Sequence, residues 1–348
     1  MTSPVRAVRI HRHGGTEVLS VEEAPEPRPG PLDALVRVHA CALNHLDVWV
    51  RQGIPGIAIP LPHTLGSDIA GRVVAVGKGV TGVELGSDVI VAPGLSCGLC
   101  HACLAGADNL CLSFSILGYQ VPGGYAELVS VPAINLMPKP ARLSFEEAAS
   151  VPFVFQTAWH MLVERAQVRP GEDVLVQAAG SGVGIAAVQI AKLLGANVIA
   201  TASTEAKLKK ARQLGADHTV NYAKKDFYAE VKRITGKKGV EVVLEHIGGR
   251  TFEESMLCLA RNGRLVTCGA TAGGAVTVDL RYVFTRQLTI TGSNMGSKGE
   301  LLSLLPHLES GRLKPVVDRV LPLAEAAQAH RLMMDRAGFG KLVLKVAD

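Results

Sequence analysis

Short apolar runs separated by turn-forming residues fill the first 150 residues of the chain. The stretches ALVRVHA (34–40), AGRVVAVG (70–77) and DVIVAP (88–93) have the length of strands. Clusters rich in proline and glycine, such as PEPRPGP, lie between such runs and favour tight turns. The pattern predicts a β-rich domain made of many short strands.

The pattern changes near residue 150, where apolar strands begin to alternate with longer helical segments. VPFVFQTAWHMLVERAQV (151–168) indicates a helix. Apolar strands are predicted at 174–176, 197–201, 240–248, 263–269 and 288–293. This alternation predicts a parallel sheet with crossover helices. After Ser293 we expect a helix at 298–308, a short strand, a helix at 324–334 and the closing strand KLVLKV.

A glycine-rich turn, AAGSGVG (178–184), lies between the first of these apolar strands and a helix. Glycine permits a sharp turn and lets a pyrophosphate approach the N–H groups at a helix N-terminus. Any tight strand-to-helix turn needs glycine, but the strand–turn–helix–strand context is specific to dinucleotide binding. The predicted contacts are Gly180, Ser181, Gly182, Val183 and Gly184.

The end of the second strand indicates which dinucleotide binds. An acidic residue there binds the ribose of NAD and repels a 2′-phosphate. The chain instead has Ala202-Ser203-Thr204, with Lys207 one helical turn further on, so Ser203 and Lys207 favour NADPH over NADH. Glu205 and a solvated Lys207 would favour NADH.

Four of the seven cysteines follow the spacing C-x2-C-x2-C-x7-C. Cys97, Cys100, Cys103 and Cys111 can surround one zinc ion as a thiolate tetrahedron, with free or disulfide-linked thiols as the alternative. Because four protein ligands leave no open position for water or substrate, the pattern predicts a structural zinc rather than a catalytic one.

The composition and charge of the chain argue against a nucleic-acid-binding or membrane protein. The chain has 348 residues, is 48% hydrophobic and carries a net charge of +5. Lysine and arginine are scattered, so no nucleic-acid partner is indicated. No run of ~18 apolar residues and no signal peptide occur, so we expect a cytoplasmic protein that does not interact with membranes.

Together these features resemble the zinc-containing medium-chain dehydrogenase/reductase superfamily over essentially the whole chain. The similarity includes LGSDIAGRVVAVG, the four-cysteine lobe, GGYAELVSVP, the coenzyme core and FGKLVLKV. It implies an α/β protein, with a GroES-like β-rich catalytic domain and a Rossmann doubly wound parallel sheet. The implied boundaries are 1–152 (with a zinc lobe at about 94–112), 153–295 for the coenzyme domain, and 296–348 returning to the catalytic domain.

The resemblance also shows where this chain departs from alcohol dehydrogenases, which bind a second, catalytic zinc. Its ligand positions fall at Asn44, at Ser67-Asp68 and at Phe153, so the resemblance implies that this metal is absent. An alternative is a substitute site formed from Cys41, His45, His63, Asp68 and His160. Asp47 and Arg51, spaced i, i+4, are expected to form a local ion pair.

Without that zinc, hydride transfer to an electron-poor acceptor, a quinone or an α,β-unsaturated carbonyl, remains possible. The implied activity is an NADPH-dependent quinone or enone oxidoreductase acting on a small carbonyl, enone or quinone. The alternatives are a zinc alcohol dehydrogenase with unusual ligands and a non-catalytic NADPH-binding protein. The candidate catalytic residues are Asn44, His45 and Trp49, the last of which stands where the quinone oxidoreductase branch often has tyrosine.

Further coenzyme contacts are implied by the resemblance or by strand ends. They are Thr157, Tyr222, Gly269, Ala270, Thr271, Ser293, Asn294, Met295, Phe339 and Lys341. Family members associate through an edge strand of the coenzyme sheet, so the strand QLTITGS predicts a homodimer or homotetramer.

Overall fold

A computed structural model describes residues 4–347. The chain forms two compact units: one comprises the described parts of Met1–Phe153 and Ser297–Asp348, and the other comprises Val154–Gly296. The domain division at 1–152, 153–295 and 296–348 stays a prediction.

Short strands form most of the first segment, as the apolar runs predicted. They are β1 (Val5–Ile10), β2 (Ser20–Ala24), β3 (Asp33–Ala42), β4 (His63–Thr64), β5 (Asp68–Val76), β6 (Asp88–Val91), β7 (Gly94–Leu95), β8 (Ser115–Ile116), β9 (Leu128–Pro132) and β10 (Leu136–Pro138). The helices are α1 (His45–Gln52), α2 (His101–Leu104) and α3 (Phe145–Ala149).

Strands and helices then alternate. Helix α4 (Pro152–Trp159) continues as a π-helical segment, His160–Arg165. The strands are β11 (Asp173–Val176), β12 (Asn197–Ala202), β13 (His218–Asn221), β14 (Val240–Glu245), β15 (Leu259–Thr267) and β16 (Thr289–Gly292). The helices are α5 (Gly182–Leu193), α6 (Glu205–Gln213), α7 (Phe227–Ile234), α8 (Gly249–Cys258) and α9 (Leu280–Arg286).

The last segment returns to the first unit. Its elements are α10 (Lys298–Glu309), β17 (Val317–Pro322), α11 (Ala326–Met334) and β18 (Lys341–Lys345).

The main sheet of the first unit joins strands that are far apart in the chain. Its order is β10-β6-β5-β3-β18-β17, with β9 also paired to β3. Ala42 in β3 lies opposite Asp68 of β5 and opposite Val343 of β18. The C-terminal end of β3 therefore lies beside the N-terminal ends of β5 and β18, at the end of the sheet where these three neighbouring strands begin or terminate.

The sheet of the second unit is parallel throughout, as the alternating pattern predicted. Its order is β13-β12-β11-β14-β15-β16. The order of strands reverses between β11 and β14, which is where open parallel sheets bind ligands. Leu175, Ile199, Val243 and Leu265 fill its core. No helix within residues 4–347 has the length and apolarity needed to cross a membrane.

Candidate active site and metal centre

A buried cluster of three polar side chains lies at the sheet edge of the first unit. The Lys341 ammonium donates to Asp68 Oδ2 at 2.9 Å and to Asn44 Oδ1 at 2.6 Å. The Asn44 amide nitrogen donates to Asp68 Oδ2 at 2.9 Å. The backbone N–H of Phe153 donates to Asp68 Oδ1 at 2.7 Å. Each of the three side chains thus contacts the other two.

Strand register brings this cluster together. Asn44 follows β3, Asp68 begins β5 and Lys341 begins β18. The backbone N–H of Leu43 donates to the carbonyl of Leu342 at 2.9 Å, which extends the pairing of β3 with β18 to the cluster. The sequence indicated Asn44 and Asp68 but placed Lys341 with the coenzyme, because no local pattern shows that β18 pairs with β3.

A second buried carboxylate, Asp47, stabilises the turn beside the cluster. Its oxygens accept from the backbone N–H of Asn44 at 2.7 Å and of Gly66 at 3.0 Å. Burial raises the pKa of Asp47 to about 7, although the Asn44 N–H and the charge of Lys341 oppose the rise. Burial also raises the pKa of the neighbouring Cys41 thiol, so Cys41 stays protonated.

The predicted ion pair between Asp47 and Arg51 is wrong. The fully buried Arg51 directs its guanidinium to His330 Nδ1 at 3.5 Å and to Met334 Sδ at 3.7 Å, both on α11. The other ring nitrogen of His330 lies 3.3 Å from the Tyr125 hydroxyl. Burial, and secondly the charge of Arg51, lower the pKa of His330 to about 3, so this histidine is neutral. Helical spacing predicted a pair that tertiary contacts replace.

The other candidate catalytic side chains, His45 and Trp49, lie together on α1. Their rings pack edge to face, with centroids 5.4 Å apart. Burial, and secondly the charge of Arg336, lower the pKa of His45, which makes a neutral imidazole the resting form. Their catalytic roles stay a prediction.

The four clustered cysteines converge in the lobe between β7 and β8. Their sulfur atoms all lie within 4.8 Å of one another, and those of Cys100 and Cys103 are 3.5 Å apart. All seven cysteines of the chain are free thiols in this structure. Backbone N–H groups at Leu99 and Cys100 lower the pKa of Cys97 to about 6, which favours a thiolate.

One ion pair attaches this lobe to the start of α10. The Lys298 ammonium donates to Asp108 Oδ2 at 2.6 Å and to Ser96 Oγ at 3.0 Å. The backbone N–H of Lys298 donates to the other Asp108 oxygen at 2.9 Å. Asp108 lies between the third and fourth cysteines, so the conformation of the lobe and the position of α10 depend on each other.

The glycine-rich turn of the second unit has the geometry of an anion-binding loop. Ser181 caps α5, because its Oγ accepts from the N–H of Gly184 at 3.0 Å. A Cβ on Gly184 would lie 2.5 Å from the carbonyl oxygen of Ala178, so only glycine fits there. Ala178 itself has a positive φ of 46°. The turn is thereby closed tightly against the end of β11.

His246 is a residue of this crevice that the sequence did not indicate. Its Nε2 lies 3.3 Å from Ser181 Oγ and 3.2 Å from the carbonyl oxygen of Gln177. The predicted strand at 240–248 included it, but β14 ends at Glu245. A polar residue directly after a parallel strand is the signal that could have identified it.

The end of β12 carries the residues expected to select the coenzyme. Thr204 caps α6, since its hydroxyl accepts from the N–H of Lys207 at 3.3 Å. Asn221 donates to the carboxylate of Glu205 at 2.7 Å. Ser203 is half-buried beside this turn, and Tyr222 is 45% exposed.

Several predicted coenzyme residues carry features typical of a binding site. The hydroxyl oxygens of Thr157 and Ser293 are buried and have no hydrogen-bond partner among the described residues. Met295 has a φ of 52°, a strained conformation that is common at functional sites. Gly269, Ala270 and Thr271 follow β15, and Asn294 follows β16 on the same edge of the sheet. Phe339 belongs to the first unit, where its N–H donates to Asp318 at 3.1 Å.

Comparison with known proteins gives matches along the whole chain. Residues 30–141 match the alcohol dehydrogenase GroES-like domain, and residues 182–310 match the zinc-binding dehydrogenase domain. The NAD-dependent alcohol dehydrogenase of Saccharolobus solfataricus is 33% identical over 353 residues, covering 98% of this chain and 99% of the relative. The quinone oxidoreductase of Pongo abelii is 30% identical over 348 residues, covering 98% and 97%. A crystal structure of an NAD-dependent alcohol dehydrogenase is 54% identical, with a TM-score of 0.96 over 98% of this chain and 100% of that one.

This chain belongs to the zinc-type medium-chain dehydrogenase/reductase superfamily. The predicted fold, a GroES-like domain with a Rossmann domain, is confirmed. The protein is an oxidoreductase of the medium-chain dehydrogenase type, for which a nicotinamide coenzyme, zinc and a small-molecule substrate are implied.

The described residues fit two of the groups that this superfamily uses. A tetrahedral zinc with Zn–S bonds of about 2.3 Å holds its sulfurs about 3.8 Å apart, and Cys97 and Cys103 have their sulfurs 3.9 Å apart. The tight turn at Gly184 and the unpartnered hydroxyls of Thr157 and Ser293 suit a dinucleotide.

A catalytic zinc, as found in alcohol dehydrogenases of the superfamily, does not fit. The Asp68 carboxylate already accepts hydrogen bonds on both oxygens, and a buried ammonium lies against it. Within residues 4–347, the cysteine cluster is the one group of three or more His, Cys, Asp or Glu side chains placed to hold a metal. The alternative site expected from Cys41, His45, His63, Asp68 and His160 is therefore not among the groups of described residues placed to hold a metal.

Proposed function

We propose that the protein reduces quinones or α,β-unsaturated carbonyls with NADPH and holds a structural zinc only. The observation that supports this proposal is the ammonium of Lys341, which binds Asp68 and Asn44 at two of the positions where alcohol dehydrogenases are expected to bind the catalytic metal. The curated relatives named alcohol dehydrogenase and those named quinone oxidoreductase match about equally well, at 33% and 30% identity, so they do not choose between the two activities.

The chemistry of the acceptor explains why the missing metal matters. Alcohol oxidation needs a group that takes up the hydroxyl proton and a Lewis acid, such as zinc, that stabilises the resulting alkoxide. A quinone or enone spreads the incoming charge over its own conjugated system, so hydrogen bonds from the protein suffice. When bound, the reduced coenzyme supplies the hydride. Asn44, with both ends of its amide fixed, is the side chain we propose for the polar contact to the acceptor or the nicotinamide ribose.

Acceptor and metal dependence test the proposal together. We expect NADPH oxidation with 1,2-naphthoquinone or an enal, about one zinc per chain, and no gain of activity when zinc is added. The second candidate is a zinc alcohol dehydrogenase, which the 54% identity to one such structure favours. About two zincs per chain, with alcohol oxidation that a chelator abolishes, would support that candidate and exclude ours.

We propose NADPH as the preferred coenzyme because the end of β12 lacks a carboxylate. The nearest acid, Glu205, is engaged by Asn221 at 2.7 Å and lies 3.9 Å from the Lys224 ammonium. Lys207→Glu should lower kcat/KM for NADPH about tenfold and change that for NADH little, since one contact to a charged phosphate is worth about 1.5–3 kcal/mol. Lys209→Glu, on an exposed position of the same helix, is the matched control. Equal losses for both coenzymes would contradict the preference.

We propose that the protein forms a dimer or tetramer through β16. This strand ends the parallel sheet and pairs only with β15 among the described strands. Phe284 and Leu280 on α9 are 66% and 71% exposed, and Ile290 on β16 is 41% exposed. Light scattering that gives the mass of one chain would refute this assembly.

A further inference from the structure

We infer that Lys341 is a positioning residue, whose ammonium takes the place of the missing catalytic metal and fixes the orientation of the Asn44 amide. The inference rests on the proposed function, because it concerns the same site. It differs from the coenzyme contact that the resemblance implied for Lys341.

Hydrogen-bond chemistry fixes the orientation of the amide. An ammonium can only donate, so the side of Asn44 that faces Lys341 at 2.6 Å must be the oxygen. A carboxylate can only accept, so the side that faces Asp68 at 2.9 Å must be the NH₂ group. Removing the ammonium removes one of these two constraints, and the amide can then rotate.

Charge balance explains why a cation is needed at this point. Asp68 is fully buried, and the Lys341 side chain is 5% exposed. The Asp47 carboxyl, the Cys41 thiol and the Tyr125 hydroxyl all interact electrostatically with Asp68, and each of them is either neutral or negative. In alcohol dehydrogenases of the superfamily the metal supplies positive charge near these positions, whereas here a covalently attached side chain supplies it.

Zinc content tests the replacement without any turnover. The triple variant Asn44→Cys/Ser67→His/Phe153→Cys restores the catalytic-zinc ligands expected in alcohol dehydrogenases. It is made in three backgrounds: with Lys341 intact, with Lys341→Met, and with Lys345→Met as the matched control on the same strand. After chelation and reloading with zinc alone, we expect about one zinc per chain when Lys341 is present, in the intact and the Lys345→Met backgrounds. We expect about two with Lys341→Met, because the competing cation is gone. Equal zinc content in all three backgrounds, at either value, overturns the inference.

Kinetics of the single variants separate positioning from coenzyme binding. If Lys341 acts through Asn44, Lys341→Met lowers kcat for 1,2-naphthoquinone at least tenfold, as expected for a misplaced polar group, and leaves KM for NADPH within about twofold. Lys341→Arg keeps the cation and should restore part of kcat. A raised KM for NADPH with unchanged kcat would instead identify a coenzyme contact and refute positioning. If the wild-type protein fails to reduce the quinone, the proposed function fails, and the zinc content still decides the role of Lys341.

Discussion

Replacing Lys341 with methionine is expected to destabilise the first unit by about 3–5 kcal/mol, because removing one partner of a buried ion pair leaves an uncompensated charge. Asp68 is fully buried and would keep only the Asn44 amide and the Phe153 N–H. The loss is large beside a typical stability of about 5–15 kcal/mol. Removing both charges, in Lys341→Met/Asp68→Asn, should bring the stability back to within about 1 kcal/mol of the wild type.

The two tryptophans of the chain make this measurable. Trp49 lies on α1 in the first unit, whereas Trp159 lies in the second. In a Trp159→Phe background, guanidinium unfolding followed by fluorescence therefore reports on the first unit alone. Lys345→Met, at an exposed position of the same strand, should change stability by less than about 0.5 kcal/mol. If Lys341→Met costs no more than this control, or if the double variant is no better than the single one, the ion pair does not carry the stability we assign to it.

Three further predictions concern the zinc lobe, a buried histidine and the coenzyme turn. Cys111→Ser should lower zinc from about one per chain to nearly none, while Cys268→Ser, outside the cluster, retains it; metal analysis of both variants decides. The pKa of His330 lies at about 3 in the folded state, well below the ordinary value of 6.5, so acidification favours unfolding from pH 6.5 downward. Between pH 8 and pH 5 the free energy of unfolding should fall by about 2 kcal/mol through this histidine. Denaturant titrations at the two pH values should show a smaller fall in His330→Gln, and an equal fall would show that another group is responsible. Gly184→Ala places a Cβ 2.5 Å from a carbonyl oxygen and should weaken NADPH binding at least tenfold, whereas Gly274→Ala, where nothing lies within 4 Å, should leave the Kd from fluorescence titration unchanged.

The periodicity of apolar residues and the spacing of cysteines predicted those parts of the structure that depend on contacts between residues close in sequence. The Rossmann sheet followed from alternating apolar strands and helices, and the cysteine spacing brought four sulfurs within 4.8 Å. The helix expected over 151–168 is instead α4 followed by a π-helical turn that ends at Arg165. Strand ends were also less certain, as β14 stops at Glu245 and leaves His246 in the crevice.

Contacts between distant parts of the chain could not be read from local patterns. Lys341 is 273 residues from Asp68 in sequence, and only the pairing of β18 with β3 brings them together. In the same way, His330 replaces Asp47 as the partner of Arg51, because α11 places His330 and Met334 against the Arg51 guanidinium. The absence of metal ligands at Asn44, Ser67 and Phe153 was visible in the sequence. The Lys341 ammonium, which we infer takes the place of the metal, was not.

The position of β18 in the sheet also has a consequence for biosynthesis. This strand lies between β3 and β17, yet it is translated after the whole second unit. On the ribosome, Val154–Gly296 can fold as a unit while the last residues of β3, Ala40–Ala42, still lack the partner that β18 supplies, although β9 already pairs with Asp33–Arg37. Until residues 341–345 emerge, the nascent first unit therefore resembles an aggregation-prone intermediate, and ribosome-bound chains stalled before β18 should recruit chaperones more than those stalled after it.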